Sequence, residues 1–285
     1  MDAAVYIADQ FLADEELIVY TQGKARNREE FRSAKGGLAT DIELVILIDE
    51  NSASASEILA GAIQDNDRGM IIGRRSFGKG LVQEQKTFAD GSAVRLTIAR
   101  YYTPTGRSIQ KPYAAGLENY YNDLNSRYLN GEMETPDSIK FADSLRFTTP
   151  GGKVVYAGGG IMPDIFVPLD TTGISDYYIE IRNKGLLYRY ALDYSDANRK
   201  ELSSLRTPDE FMRTLNKADI LRKFVTFAAK NGVKENAAQI KISEKLLNTQ
   251  LIAYISRNFI DNKGFYPIIQ DIDNTLLKAV EMLEK

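Results

Sequence analysis

The chain has 285 residues, 44% of them hydrophobic, which is enough for one large domain or two ordinary ones. Its formal net charge of −3 excludes the basic surface of a nucleic-acid-binding protein, and no apolar run approaches the roughly 20 residues of a membrane span. Because the chain has no histidine and no cysteine, Ser-His-Asp and Cys-His catalytic sites are excluded as well.

The first 170 residues alternate between helical periods and apolar runs of strand length. In chain order they predict a helix over 3–12, strands over 17–22 and 43–49, a helix over 54–66, and strands near 69–74, 81–88, 93–102, 153–157 and 164–168. Ala89–Ser92 is predicted to be a hairpin turn, because residue polarity alternates in the run that follows it. Residues 106–150 are polar and are predicted to form loops.

Beyond Thr171 the chain changes character, with few glycines and long helical periods. Two apolar faces stand out and predict the core of a helical bundle, namely Leu246, Leu247, Leu251, Ile252, Tyr254, Ile255 and Phe259, and further on Leu276, Leu277, Val280 and Leu283. We therefore predict two domains, residues 1–170 and a helical extension over 171–285.

A cluster of serines follows the strand at 43–49 and precedes the helix at 54–66. Ser54 is placed at a helix N-terminus, where free N–H groups and the helix dipole stabilise developing negative charge. The N–H of Ala55 could supply one half of an oxyanion hole. The alternative is purely structural, since Ser54 and Glu57 have the spacing of a capping box.

Lys79 lies between two glycines and is the candidate base for a serine nucleophile in a chain without histidine. A lysine that accepts a proton must be neutral, which predicts a buried side chain, and Arg74 and Arg75 would favour the neutral form if they lie close. A solvated or phosphate-binding lysine in a glycine turn is the alternative. Gln83 is out of reach in an extended strand, about 13 Å from Lys79, unless the chain bends at Gly80.

The pattern around these residues resembles the C-terminal processing peptidases, the tail-specific serine proteases of family S41. The resemblance covers roughly residues 1–170, and its segments are Val45–Asp49 with Ser52–Ile58, Ala60–Asp65, Ser76–Gln83, Tyr102–Gln110 and Gly159–Ile165. It implies an α/β fold with a ClpP/crotonase-like ββα core, followed by the all-helical extension. It also implies that Ser54 is the nucleophile, Lys79 the general base and Gln83 the residue that orients the lysine.

By the same resemblance we expect a serine endopeptidase that cleaves proteins near their C-termini through an acyl-enzyme. The expected partners are polypeptide substrates bound by their C-terminal region, with a homo-oligomer also open, and the expected location is the periplasm or cell envelope. A glycine-rich oxyanion segment and often a PDZ domain precede Met1 in the family pattern. The sequence is therefore expected to be truncated at its N-terminal side, and to be weakly active or inactive as an isolated chain.

Two other functions remain open at this point. The chain could be a non-catalytic fragment of the same fold that binds peptides or partners, or a crotonase-like acyl-CoA enzyme, since the family shares that core. Neither a cofactor nor a metal site is predicted, because the acid pair Asp65 and Asp67 lacks further ligands.

Overall fold

The computed structural model describes residues 1–34, 37–113 and 116–284, and these fall into two compact units. The first unit runs from Met1 to Leu169 and includes the chain again from Lys278 onward, whereas the second runs from Asp170 to Leu277. In the part of the chain that is described, no helix is both long and apolar enough to cross a membrane.

The first unit is a mixed α/β structure. Its elements are α1 Asp2–Asp9, β1 Leu17–Gln22, β2 Glu29–Arg32, β3 Val45–Ile48, α2 Ala55–Asp65, β4 Met70–Gly73, β5 Leu81–Thr87, β6 Ala93–Tyr102, α3 Gly116–Leu129, β7 Arg146–Thr148, β8 Val154–Tyr156 and β9 Ile165–Phe166, with 3-10 turns at Pro136–Ser138 and Asp143–Leu145.

Three sheets organise this unit. One has the strand order β2-β1-β6-β5 with antiparallel pairs throughout, the second has the order β3-β4-β9 with parallel pairs, and the third is the antiparallel pair of β7 and β8. The parallel strands β3 and β4 are connected through α2, as parallel pairing requires a crossover. Ile58 and Ile63 of α2 are buried with Ile48 and Ile71 of these strands, so α2 is held against the sheet by an apolar core.

Apart from the 3-10 turns, three elements of the first unit were not predicted, namely β2, α3 and β7. The four residues of β2 are mostly charged, yet they pair with β1, and Glu30 is ion-paired to Arg28 and Arg32. The prediction of loops over 106–150 was wrong because α3 occupies Gly116–Leu129. This helix buries only Tyr120 and Arg127, so its buried face has no apolar period that the sequence could reveal.

The second unit is helical. It contains α4 Asp176–Asn183, α5 Leu186–Ala197, α6 Arg199–Leu202, α7 Pro208–Lys217, α8 Ile220–Lys230, α9 Ala237–Ile260, α10 Asn262–Ile269 and the start of α11 Asn274–Leu283, with a 3-10 turn at Gln270–Ile272. Leu247, Leu251 and Ile255 of α9 are completely buried with Phe211 and Phe224. The apolar face predicted between 246 and 259 is thus part of this core.

The apolar face predicted for the last helix is only partly correct. Leu277, Val280 and Leu283 lie on α11 but are exposed. The buried residue of this helix is Ala279. It belongs to the part of α11 that is assigned to the first unit, and it packs there in a small cluster with Ile72. Helical periodicity therefore predicted the position of α11, but the face that packs is the one with Ala279 and not the one with Leu277, Val280 and Leu283.

Candidate active site

Ser54 lies in the turn between β3 and α2 in a backbone conformation that L-residues rarely adopt, with φ 57° and ψ −110°. Its N–H donates to the Glu57 carboxylate at 2.9 Å, and its carbonyl accepts the N–H groups of Glu57 and Ile58, each at 3.0 Å. Ser54 makes no side-chain cap hydrogen bond. The predicted capping box of Ser54 and Glu57 is therefore present, although the contact of the Ser54 side chain with the Glu57 N–H falls short of a hydrogen bond.

Strain of this kind costs on the order of 1–3 kcal/mol and persists only where the surroundings enforce it. Such conformations cluster at active sites, and a nucleophilic serine on a sharp turn between a strand and a helix is a recurring arrangement in hydrolases. The geometry of Ser54 thus favours the functional alternative over a simple helix cap. Ala55 is the first residue of α2, so its N–H has no acceptor within the helix.

Glu57 connects this turn to the glycine-flanked lysine. Its side chain is completely buried, and its carboxylate accepts hydrogen bonds from the Ser76 hydroxyl at 2.5 Å, the Gly78 N–H at 2.7 Å and the Lys79 N–H at 2.9 Å. Since the same carboxylate also accepts the Ser54 N–H, one side chain fixes the backbones of Ser54 and Lys79 relative to each other.

Tyr101 of β6 makes a second connection between the same two residues. Its hydroxyl donates to the Lys79 carbonyl at 2.6 Å and lies 3.1 Å from the Ser54 carbonyl. Burial, with a further contribution from the Glu57 charge, raises the pKa of Tyr101 well above its usual value, so the phenol stays a hydrogen-bond donor. The sequence analysis placed Tyr101 in the predicted strand 93–102 and gave it no role in the site.

All four residues of the predicted site line one cavity of about 370 Å³. Ser54 and Ala55 lie on its α2 side, and Lys79 and Gln83 line it together with Tyr101. The cavity thus brings together residues that are distant in the sequence, since Ser54 and Lys79 are 25 positions apart. Among the described residues the cavity lining contains no acidic side chain.

The predicted burial of Lys79 is not found. Its side chain is exposed and lines the cavity. Arg74 and Arg75 do not act as free neighbouring charges either. Their guanidinium groups are paired with Glu50 at 2.7 Å and with Glu132 at 2.6 Å.

Gln83 lies in β5 and is exposed. Its amide nitrogen donates to the Thr97 hydroxyl at 3.3 Å, and no hydrogen bond between Gln83 and Lys79 is found in the described part of the chain. A bend does occur near it, since the pairing of β5 with β6 shifts register between Val82 and Gln83. This irregularity lies two to three residues after Gly80, where the bend was predicted.

The neighbouring serines differ from Ser54 in their contacts. The Ser52 hydroxyl accepts the Asp49 N–H at 3.0 Å and lies 3.2 Å from the Asp49 carboxylate, which makes it part of the turn that ends β3. Ser56 lies in the first turn of α2, is exposed, and is absent from the cavity lining. Of the three serines, Ser54 alone lines the cavity that contains Lys79.

Two buried cations from the segment that follows β6, Lys111 and Arg127, contact the loop before Lys79. Arg127 of α3 donates to the carbonyls of Ser76 at 2.8 Å and Phe77 at 3.3 Å. The Lys111 ammonium lies 3.8 Å from the centre of the Phe77 ring, and burial lowers the pKa of Lys111. Sequence reasoning missed both residues, because a polar segment gave no sign that its cations are buried. No cluster of three or more potential metal ligands occurs among the described residues.

Comparison with known proteins relates the first unit to a protease family. Residues 1–119 match the model of peptidase family S41, and residues 177–261 match a family of unknown function (DUF8443). The carboxyl-terminal-processing protease of Synechocystis sp. is 36% identical over 161 residues, 56% of this chain and 36% of that protein. The carboxy-terminal-processing protease of Bartonella bacilliformis is 47% identical over 111 residues, 39% of this chain and 25% of that protein.

Among solved structures, a photosystem II D1 C-terminal processing protease matches with a TM-score of 0.40 and 28% identity over 59% of this chain and 31% of that chain. This chain therefore spans only 36% of the length of the Synechocystis relative and 25% of the Bartonella relative.

Proposed function

We propose, from the match of residues 1–119 to the model of peptidase family S41, that this chain carries the catalytic residues of a serine endopeptidase with a Ser-Lys site. In this proposal Ser54 is the nucleophile, Lys79 the general base and Gln83 a residue that orients the lysine. The observation that supports the proposal is that the strained Ser54 and Lys79 line the same cavity. The β3–α2–β4 unit would then be a core of the ClpP/crotonase type.

In the proposed reaction Ser54, Lys79 and Ala55 each have one role. The Ser54 hydroxyl transfers its proton to the neutral amine of Lys79 as its oxygen attacks the scissile carbonyl carbon. The resulting oxyanion is stabilised by the Ala55 N–H at the N-terminus of α2. Lys79 then returns the proton to the leaving amine, and the acyl-enzyme on Ser54 is hydrolysed by water that Lys79 deprotonates in turn.

Substrates in this proposal are polypeptides cleaved near their C-termini, as the names of the relatives state for those proteins. The location we propose is the periplasm or cell envelope. A homo-oligomer is compatible with the proposal but is not required by it, because Ser54, Lys79 and Gln83 come from one chain.

The first test replaces the nucleophile and a matched serine. Made in the complete natural protein, Ser54→Ala should lower cleavage of an unstructured peptide with an apolar C-terminus by on the order of 10³-fold or more. Ser56→Ala is the control, because Ser56 is on the same helix turn but outside the cavity, and it should cleave like the unmodified protein. Equal cleavage by Ser54→Ala and Ser56→Ala would eliminate Ser54 as the nucleophile.

The second test replaces the base. Lys79→Arg keeps a positive charge, but a guanidinium cannot deprotonate in a protein, so cleavage should be abolished. Retention of cleavage by Lys79→Arg would show that the lysine is structural, and peptide binding without cleavage would favour a non-catalytic binding module.

A further inference from the structure

One face of α3 is apolar and largely exposed. Leu117, Tyr121, Leu124 and Tyr128 follow one another at spacings of four, three and four residues. At about 100° per residue they lie within roughly 60° of the helix circumference, and we call these four residues the α3 stripe. Leu117 is 65% exposed, Tyr121 74% and Tyr128 47%, whereas Leu124 is half-buried. The helix is held on the first unit by a different face, the one that contains its buried residues.

Both tyrosines of the α3 stripe are already oriented by contacts within their own chain. The Tyr121 ring lies edge-on to the Tyr120 ring, with 5.6 Å between the ring centres. The Tyr128 hydroxyl donates to the Glu50 carboxylate at 3.4 Å. Side chains that are ordered before binding lose little conformational entropy when a partner covers them. The stripe is therefore organised for contact with another molecule.

The residues beside the stripe are compatible with such a contact. The Asp123 carboxylate is paired with Lys111 at 3.2 Å and with Arg127 at 3.0 Å, so its charge is compensated within the chain. On the other flank Asn122 and Asn125 are exposed and polar. An apolar centre with a polar rim is the usual composition of a protein–protein contact surface.

The order of side chains along the stripe favours a second copy of the chain as the partner. If two stripes lie antiparallel about a two-fold axis, Leu117 faces Tyr128 of the second copy, and Tyr121 faces Leu124 of the second copy. Every pair then combines a large ring with a smaller branched side chain, which is the self-complementarity that an isologous contact requires. A parallel arrangement would instead place each side chain opposite its own copy.

We infer that α3 associates with α3 of a second copy, antiparallel and through Leu117, Tyr121, Leu124 and Tyr128, in a weak two-fold dimer. At about 200 Å² for each side chain, the exposed fractions leave roughly 400 Å² of the stripe open on each copy. Two copies therefore bury roughly 800 Å² in all, less than the ~1,200 Å² of a stable interface. The dimer should form only at high protein concentration. The inference does not depend on the proposed function, because it involves no residue of the peptidase site.

Sedimentation velocity of the full chain, from about 1 µM to about 1 mM, measures the association. The mean sedimentation coefficient should rise with concentration toward that of a dimer. Tyr121→Lys places a charge beside the two-fold axis and should raise the dissociation constant about tenfold or more. Tyr6→Lys is the matched control, because Tyr6 on α1 is 67% exposed but lies outside the stripe, and it should associate like the unmodified chain. Sedimentation that does not change with concentration, or equal dissociation constants of the two variants, would overturn the inference.

Cross-linking tests the antiparallel geometry. Because the chain has no cysteine, Leu117→Cys and Tyr128→Cys each introduce a single thiol for a short bismaleimide reagent. A mixture of the two variants should cross-link, since these positions face each other. Either variant alone should not, because its two thiols would lie about 16 Å apart along the helix. Cross-linking of each variant alone, with none added by mixing, would indicate a parallel pair and overturn the inference.

A polypeptide is the other possible occupant of the stripe, and the same variants test it. If Tyr121→Lys weakened binding of the unstructured peptide relative to Tyr6→Lys while neither chain dimerised, the stripe would belong to a polypeptide partner and the inference would be overturned. Circular dichroism checks that Tyr121→Lys keeps its fold. If it does not, the cross-linking of Leu117→Cys with Tyr128→Cys decides, since neither variant introduces a charge.

Discussion

Two helices of this chain begin with the same local motif, and the two copies differ in what surrounds them. In the first unit, Ser54 and Glu57 open α2, and in the second unit, Thr207 and Glu210 open α7. Glu210 is partly exposed and accepts the N–H groups of Thr207 at 3.1 Å and Arg206 at 2.7 Å. Its hydrogen bonds remain within the turn that leads into its own helix.

Glu57 accepts the corresponding N–H of Ser54 but is completely buried and also accepts the backbone of the loop before Lys79. Thr207 makes the ordinary cap hydrogen bond to the Glu210 N–H at 3.3 Å, whereas Ser54 makes none. Burial thus allows a helix-capping carboxylate to bind the backbones of two distant segments, here the turn at Ser54 and the loop before Lys79.

The same contrast extends to the two units as a whole. The first unit contains buried ion pairs, among them Arg107–Asp65, Arg74–Glu50 and Arg75–Glu132. The ion pairs of the second unit, as far as it is described, lie between side chains that are at least 40% exposed. Its interior is aromatic and aliphatic. The first unit is therefore sensitive to loss of a charge, and the second to loss of volume.

The largest effect is expected from Arg107→Ala. Arg107 and Asp65 are both completely buried, 2.7 Å apart, and Arg107 also donates to Gln64 at 2.7 Å. Removal of one partner leaves a buried carboxylate uncompensated, so the free energy of unfolding of the first unit should fall by about 3–5 kcal/mol. Chemical denaturation measures it, with Arg199→Ala in the exposed pair of the second unit as control. Equal losses in the two variants would break the contrast between the units.

Loss of volume should act mainly in the second unit. Leu251 of α9 is completely buried in the helical core, so Leu251→Ala should lower the free energy of unfolding of that unit by about 2–5 kcal/mol. Hydrogen exchange of the α9 amides gives the local measurement. Leu277→Ala is the control, because Leu277 is 48% exposed and its truncation leaves no cavity. A similar loss in both variants would mean that the apolar core does not dominate this unit.

Glu57→Gln and Glu210→Gln compare the buried capping carboxylate of α2 with the exposed one of α7. The carboxamide keeps the shape of Glu57 but turns a donor toward backbone N–H groups, so the loop before Lys79 should shift and cleavage should fall about 10²-fold. Glu210→Gln makes the same chemical change in the second unit and should leave cleavage unchanged. Near-ultraviolet circular dichroism checks that Glu57→Gln stays folded. Equal cleavage by the two variants would refute the positioning role of Glu57.

Local signals explain what the sequence predicted well. The strands at 17–22 and 93–102 were predicted to the residue, and β3 and α2 within two residues, because period, turn and cap signals lie within each segment. Ser54 and Lys79 were assigned as partners by the resemblance to family S41, in a chain whose lack of histidine excludes the usual base.

What the sequence could not predict depends on contacts between distant segments. α3 is stabilised where Arg127 binds the carbonyls of Ser76 and Phe77, about 50 residues earlier in the chain. The hydrogen bond of Gln83 to Thr97 lies next to the bulge in the pairing of β5 with β6, which has no sequence signal of its own. Glu57 was recognisable as a capping residue, but its burial was not.

The smallest expected effect is the pH dependence of the exposed cap. The N–H of Arg206, followed by that of Thr207, lowers the pKa of Glu210 below its ordinary value of 4.5. In acid the unfolded chain therefore binds more protons at this residue than the folded chain. The stabilisation by the Glu210 carboxylate is present above about pH 4.5 and is lost as the pH falls through the lowered pKa.

Hydrogen exchange of the first turn of α7, corrected for its intrinsic pH dependence, should reveal this loss. Protection should decrease below about pH 4.5 in the unmodified protein and should not change with pH in Glu210→Gln, which cannot ionise. The reason is that the amide still accepts one N–H but carries no titrating charge. If Glu210→Gln lost protection over the same pH range, another acidic residue would control the start of α7, and the exposed motif would not be the self-contained cap that distinguishes it from Ser54 and Glu57.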